Sequence, residues 1–285
     1  MIVIVSFKED KPYRLDKCCI HVPTNHEKKE CWITGSAVLS PDRVVVVDGN
    51  NKRVKLINTR NSEIVSRLVL SACPKDVAMV TADRVVITLP SLDTVQFLSI
   101  KKPQETLDIA RSFKVEGYCC GIDCFDDKLF ISYSLPAKVE MFSFKGERLN
   151  TFATDSNGTP LFRNPQYLAA NGDAIFVSDS DADAVVKVSH DGEAVAKYAD
   201  SSLKNPQGVA ITSDDRLLVA SQGNHTVHLL NTNCGGVSVV LGKEDGLWWP
   251  HVLEVCPDTK TVYISSTSGH PEFDNFLSMY TFEHD

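Results

Sequence analysis

The chain has no apolar run approaching the roughly 18 residues that a membrane-spanning helix requires, and nowhere a convincing capped, helix-periodic stretch. It also lacks a basic excess. Lys and Arg number 29 against 37 Asp and Glu, a formal net charge of −8, and the densest basic runs (Lys28-Lys29, Lys52-Arg53, Lys101-Lys102) are short. That balance argues against a broad phosphate-neutralising surface unless folding gathers the dispersed cations on one face. Paired Cys-x-x-Cys hooks are absent, and the nine cysteines show no disulfide-scaffold spacing. A reducing, cytoplasmic location is therefore expected. No basic leader or small-residue cleavage site precedes the strand-like start MIVIVSF, which suggests a fragment of a longer protein rather than a secreted one. Two glycosylation-type triplets, at Asn157 and Asn224, carry little weight without a secretory signal.

What the chain does have is a repeat. The strings RVVVVD (43–48), RVVITL (84–89), KLFISY (128–133), AIFVSD (174–179), RLLVAS (216–221) and TVYISS (261–266) end 41, 44, 46, 42 and 45 residues apart. That is the length of a four-stranded propeller blade. About sixteen residues before each end a strand begins, and four of the six starts place proline second: Cys73-Pro74, Asn164-Pro165, Asn205-Pro206 and Trp249-Pro250. Proline is tolerated there because the first residue of a strand need not donate a ladder hydrogen bond. Further strands follow each unit, such as RVKLI at 53–57 and EAVAKY at 193–198. The expected fold is an all-β, six-bladed β-propeller forming one domain, with blades at about 31–70, 72–100, 117–152, 164–198, 205–241 and 249–282. The sixth unit stops after three strands, so a strand from the N-terminus, Ile2–Phe7, is expected to complete it and lock the ring.

The segments VVVVDGNNKRVKLIN (44–58), IFVSDSDADAVVKVSHDGE (175–193) and NPQGVAITSDDRLLVASQGNHTVHLLN (205–231) resemble NHL repeats. The stretch 31–58 is similar to the first blade of the C-terminal NHL domain of tripartite-motif (TRIM) proteins, particularly invertebrate members. The resemblance covers nearly the whole chain and is weakest in the second and third blades. It implies a propeller that selects the target of a ubiquitin ligase or, in some members, binds RNA on a basic face. The zinc-binding modules that carry ligase activity in that family do not occur in these 285 residues.

No nucleophile signature stands out, so a non-catalytic module without cofactor or metal is expected. Cys18-Cys19-Ile20-His21, His26 and Cys31 have zinc-type side chains, but they read as free thiols beneath a linker loop. Asp179, Asp181 and Asp183 open like a calcium loop, yet Ala184 and His190 stand where its Gly and Glu belong, which leaves turn chemistry. A metal-dependent propeller hydrolase or lyase is the third reading, since channel ligands drawn from several blades leave no spacing signature.

Binding is expected on the face formed by loops between second and third strands and between successive blades. There Trp248 and Trp249 replace the polar residues found at the same register in other blades. Trp248 reads equally as an interface residue or as a cap on the seam between two blades, and Trp249 reads first as a seam cap that shares burial with Trp32 at the same register. With Phe273, His225 and His251 the two indoles form an aromatic candidate surface, while Asn51, Lys52 and Arg53 supply its basic part. Such a surface suits a protein or peptide partner. An RNA-binding face would combine more cations with stacking aromatics.

Overall fold

A computed structural model describes residues 14–24, 27–256 and 258–283. The described residues form six four-stranded antiparallel sheets that succeed one another along the chain. Blades 1 to 5 span 33–69, 77–114, 118–152, 165–199 and 206–241, and blade 6 combines 250–283 with Arg14–His21. The six-bladed propeller expected from the repeat is thus the fold. No helix of the described residues is long and apolar enough to cross a membrane.

The valine run shows why these strings become inner strands. Successive side chains of a strand point to opposite faces. Val45 and Val47 pack with Val77, Val85 and Ile87 of blade 2, while Val44 and Val46 pack with Cys256, Tyr263 and Leu277 of blade 6. Both faces are buried, so apolar residues occupy every position rather than alternate ones. Each buried aliphatic side chain contributes about 1.5–3 kcal/mol of transfer free energy.

Blade 6 closes the ring. Arg14–His21 pairs antiparallel with Phe276–Glu283 over eight rungs, from Arg14 against Glu283 to His21 against Phe276. The expected closing segment Ile2–Phe7 lies outside the described residues, and the outer place beside Phe276–Glu283 belongs to Arg14–His21. Cys18, Cys19 and His21 therefore sit on this strand and not in a linker; both thiols are exposed. Blade 2 likewise extends past residue 100, through the fourth strand Thr106–Lys114.

The innermost strands approach unusually closely. A Cβ on Gly35 would lie 2.7 Å from Asp76 Cα, one on Gly121 2.7 Å from Tyr167 Cα, and one on Gly208 2.5 Å from Leu253 N. Blades 1, 3 and 5 thus each present a glycine to the backbone of the next blade, and only a missing side chain permits that spacing.

Candidate recognition face and channel mouth

Antiparallel strands place the turns between second and third strands on the same face as the links between blades. Three of those turns share a local form: short 3-10 turns at Pro90–Leu92, Ser180–Ala182 and Gln222–Asn224, each followed by a left-handed residue, Asp93, Asp183 or His225. Asp and His enter that region more readily than bulkier types. This geometry fixes His225 beneath the link to blade 6, where its Nδ1 accepts the Trp249 N–H at 3.0 Å. The ring is therefore protonated on Nε2 when neutral, and partial burial together with Lys243 pushes its pKa down.

Around His225 the predicted aromatics converge. Ring centroids lie 5.3 Å apart for His225–Trp248, 4.7 Å for His225–Trp249 and 5.5 Å for Trp248–Trp249. Phe273 stands 6.2 Å from Trp248 and 6.0 Å from Trp249. It is carried by the single helical turn Pro271–Asp274, whose Asp274 carboxylate accepts the amides of Ser268 and Gly269. Lys243 Nζ lies 4.9 Å over the Trp248 ring. All four rings are partly buried.

The basic part of the predicted surface is different. Arg53 pairs with Glu27 at 3.2 Å, and Asn51 donates to the Lys29 carbonyl and to Asp48. Both side chains hold the start of blade 1 in place, and of this trio Lys52 alone is exposed. Beside them Lys55 is wholly buried and shares its three N–H donors among Glu27 (2.9 Å), Asp48 (3.1 Å) and the Val22 carbonyl (3.1 Å), with Cys31 Sγ also at 3.3 Å. Glu27, Cys31 and Asp48 form the one cluster among the described residues compact enough for a metal ion, and the ammonium occupies its centre. Burial opposes ionisation of Asp48, but Lys55 and the surrounding N–H donors outweigh it and hold the carboxyl below its ordinary value. Burial and the neighbouring Asp48 push the Cys31 thiol far up, so it stays protonated.

His251 is not on the loop surface. It is 5% exposed and lies at the mouth of the central channel, in a network that spans the ring. Tyr167 of blade 4 donates its O–H to the Thr34 carbonyl of blade 1, directly across the channel, at 2.7 Å. Since that proton is committed, Tyr167 Oη accepts from Lys75 Nζ (3.0 Å) and from His251 Nε2 (2.9 Å). His251 Nδ1 is then free to accept from Gln222 at 3.3 Å. Burial, reinforced by Lys75, drives the His251 pKa well down and keeps the ring neutral. Tyr167 and Lys75 were absent from the predicted site. A signal was available: Lys75, Gln166, Gln207 and His251 each follow a strand-start proline, which puts them at one level around the ring.

Below this plug lies a cavity of about 410 Å³, lined by Ala37, Ala78, Ala169 and Ala210 together with Asp76, Asp123 and Glu254. Asp76 accepts the amides of Val77 and Ile122, and Asp123 those of Cys124 and Ala170. Burial pushes Asp76 up to about 7 and Asp123 to about 6, and raises Glu254 well above the carboxylate range, with Asp123 and Asp76 adding to it. Carboxyls with raised folded-state pKa values bind more protons folded than unfolded, so stability falls as pH climbs from about 4 to 7. Urea midpoints at pH 5 and pH 8 should show this decline. Glu254→Gln, which keeps an acceptor for the Val38 amide, should flatten it; an unchanged pH slope would remove Glu254 as a cause.

No protein-family model matches the chain, and no curated protein does. Solved structures match nearly end to end at low identity. A Bacteroides thetaiotaomicron protein of unknown function superposes with a TM-score of 0.73 at 14% identity, over 95% of this chain and 77% of that one. A streptogramin B lyase gives 0.68 at 8% identity, over 94% and 98%. The Cps50 (Swd1) β-propeller domain of Myceliophteria thermophila gives 0.60 at 12%, over 88% and 83%. The class defined by fold and neighbours is the six-bladed β-propeller. At these identities the likeness extends to the fold alone.

Proposed function

We propose that this propeller is a non-catalytic recognition module that binds a protein or peptide on its loop face, centred on Trp248, Trp249 and Phe273. The supporting observation is the convergence of two indoles, Phe273 and His225 from separate loops into one partly exposed cluster. Tryptophan is among the residue types most enriched at interface hot spots, and its indole loses little conformational freedom when it binds. The NHL-like repeats support a finer reading, that the module selects targets for a TRIM-type ubiquitin ligase. RNA binding is disfavoured by the commitment of Arg53 to Glu27, which removes one of the two cations that face would need.

The immobilised chain, exposed to lysate and analysed by quantitative mass spectrometry, should retain a defined protein set. Trp248→Ala and Phe273→Ala should each reduce that retention by about tenfold or more. Met79→Ala, on the opposite face, should not. Equal capture by all four proteins would sink the cluster as the binding centre, and salt-sensitive retention on an RNA column would move the reading to nucleic acid.

A further inference from the structure

Lys75 stands at the channel mouth, apart from the Trp248 cluster, with its Nζ on Tyr167. Its neighbours at the same level of the channel mouth, Gln166, Gln207 and Thr34, are uncharged, and His251 is kept neutral. Lys75 is therefore the one cation of that ring, and it is partly buried. The other basic groups that the blades bury deeply have carboxylate partners: Lys55 has Glu27 and Asp48, and Lys138 has Glu140. Among the described residues Lys75 forms no ion pair. Its Nζ donates to Tyr167 and lies 4.4 Å over the Tyr167 ring, which satisfies one of three donors. The adjacent Asp76 turns its two oxygens to the amides of Val77 and Ile122 and makes no contact ion pair with Lys75, although its charge still acts on the lysine from nearby. Burial pushes the lysine pKa down, against the opposing pull of the nearby Cys120 and Asp76.

We propose that the channel mouth at Lys75 is a carboxylate-binding subsite, which receives an Asp or Glu side chain or the terminal carboxylate of the bound protein. Charge complementarity selects the occupant. A partly desolvated ammonium with donors to spare gains most from a compact anion. Exposed rings flank the site at the strand starts of the two adjoining blades, Trp32 at 38% and Tyr118 at 48% exposure. They would cover the apolar neighbours of that carboxylate. The site lies on the same face as the Trp248 cluster and rests on the reading of that face as a protein-binding one.

Short random peptides, displayed in one arm with free C-termini and in another with blocked C-termini, test this on the intact chain. Enrichment of Asp and Glu in both arms identifies a side-chain carboxylate, and enrichment confined to free termini identifies the terminal one. In either case Lys75→Met should weaken the selected peptide by about ten- to hundredfold, as expected for a hydrogen bond to a charged group. Lys75→Arg should stay within severalfold, and thermal melts would show that both variants fold. Enriched peptides that are neutral, and that depend on Trp248 but not on Lys75, overturn the subsite and leave the recognition face standing. Failure of both arms to enrich overturns both. Single-stranded RNA whose binding is weakened by Lys75→Met replaces the carboxylate with phosphate and overturns the proposal too.

Discussion

Lys55→Ala is expected to remove about 3–5 kcal/mol of folding free energy, the range found when one partner of a buried ion pair is deleted. The substitution leaves Asp48 and Glu27 at the start of blade 1 without the ammonium they share. Arg53 still reaches Glu27, but Asp48 keeps only uncharged donors, the N–H groups of Trp32 and Asn51 and the Cys31 thiol. Urea denaturation measures the loss. The variant should also gain a property that the parent lacks. With the ammonium gone, Glu27, Cys31 and Asp48 retain three ligand atoms within 4.8 Å of one another. Zinc ion should then recover part of the lost stability in Lys55→Ala, because thiolate, carboxylate and a water can share a tetrahedral ion. The parent melt should not move. A loss below about 1 kcal/mol would show that the cage is too well solvated for the charges to matter.

Gly208→Ala should cost about 1–3 kcal/mol or more, the range for overpacking a close-packed interior. The added carbon would meet three backbone atoms of blade 6, Leu253 N at 2.5 Å, His251 O at 2.9 Å and Val252 C at 3.0 Å. A side chain could rotate away, but these atoms belong to the innermost strand of the next blade. Relief therefore requires the ring to widen, and widening strains the Tyr167–Thr34 hydrogen bond across the channel. Gly172→Ala is the matched control, for its Cβ would meet only Phe125, at 3.7 Å. It should be neutral within about 0.5 kcal/mol or slightly stabilising, through reduced unfolded-state freedom. Equal melting temperatures for the two variants would show that the inner strands have slack.

The blades were legible because their central strands are buried on both faces, so strings such as Val44–Val47 leave an unmistakable apolar mark at a fixed period. Outer strands leave almost none. In Arg14–His21 the residues Asp16 to Cys19 are exposed and Ile20 is buried, whereas Ile2–Phe7 carries the stronger apolar signal. Thr106–Lys114 is mostly exposed for the same reason and fell beyond the expected end of blade 2. At the site, register placed Trp248, Trp249, Phe273 and His225 together correctly. It could not show that His251 turns inward, because its partner Tyr167 lies 84 residues away and is brought near only by the closed ring. Asn51 and Arg53 were legible as loop residues but not as anchors, since Glu27 and Lys29 reach them from outside the repeat.

The way the ring is fastened also decides how it responds to force. Arg14 and Glu283 occupy the same rung of the closing ladder, so the two free ends of that ladder lie side by side. Tension between whatever is attached to them loads a single rung at a time, as when a zip is drawn, and not all eight in parallel. The fastening would give way at low load one pair after another, with Ile20 held until the seventh rung. Only then would the pull reach the packed interior of the disc. Sideways traction on the loop face meets no such weak line, which makes the rim between the two ends the mechanical fuse of the domain.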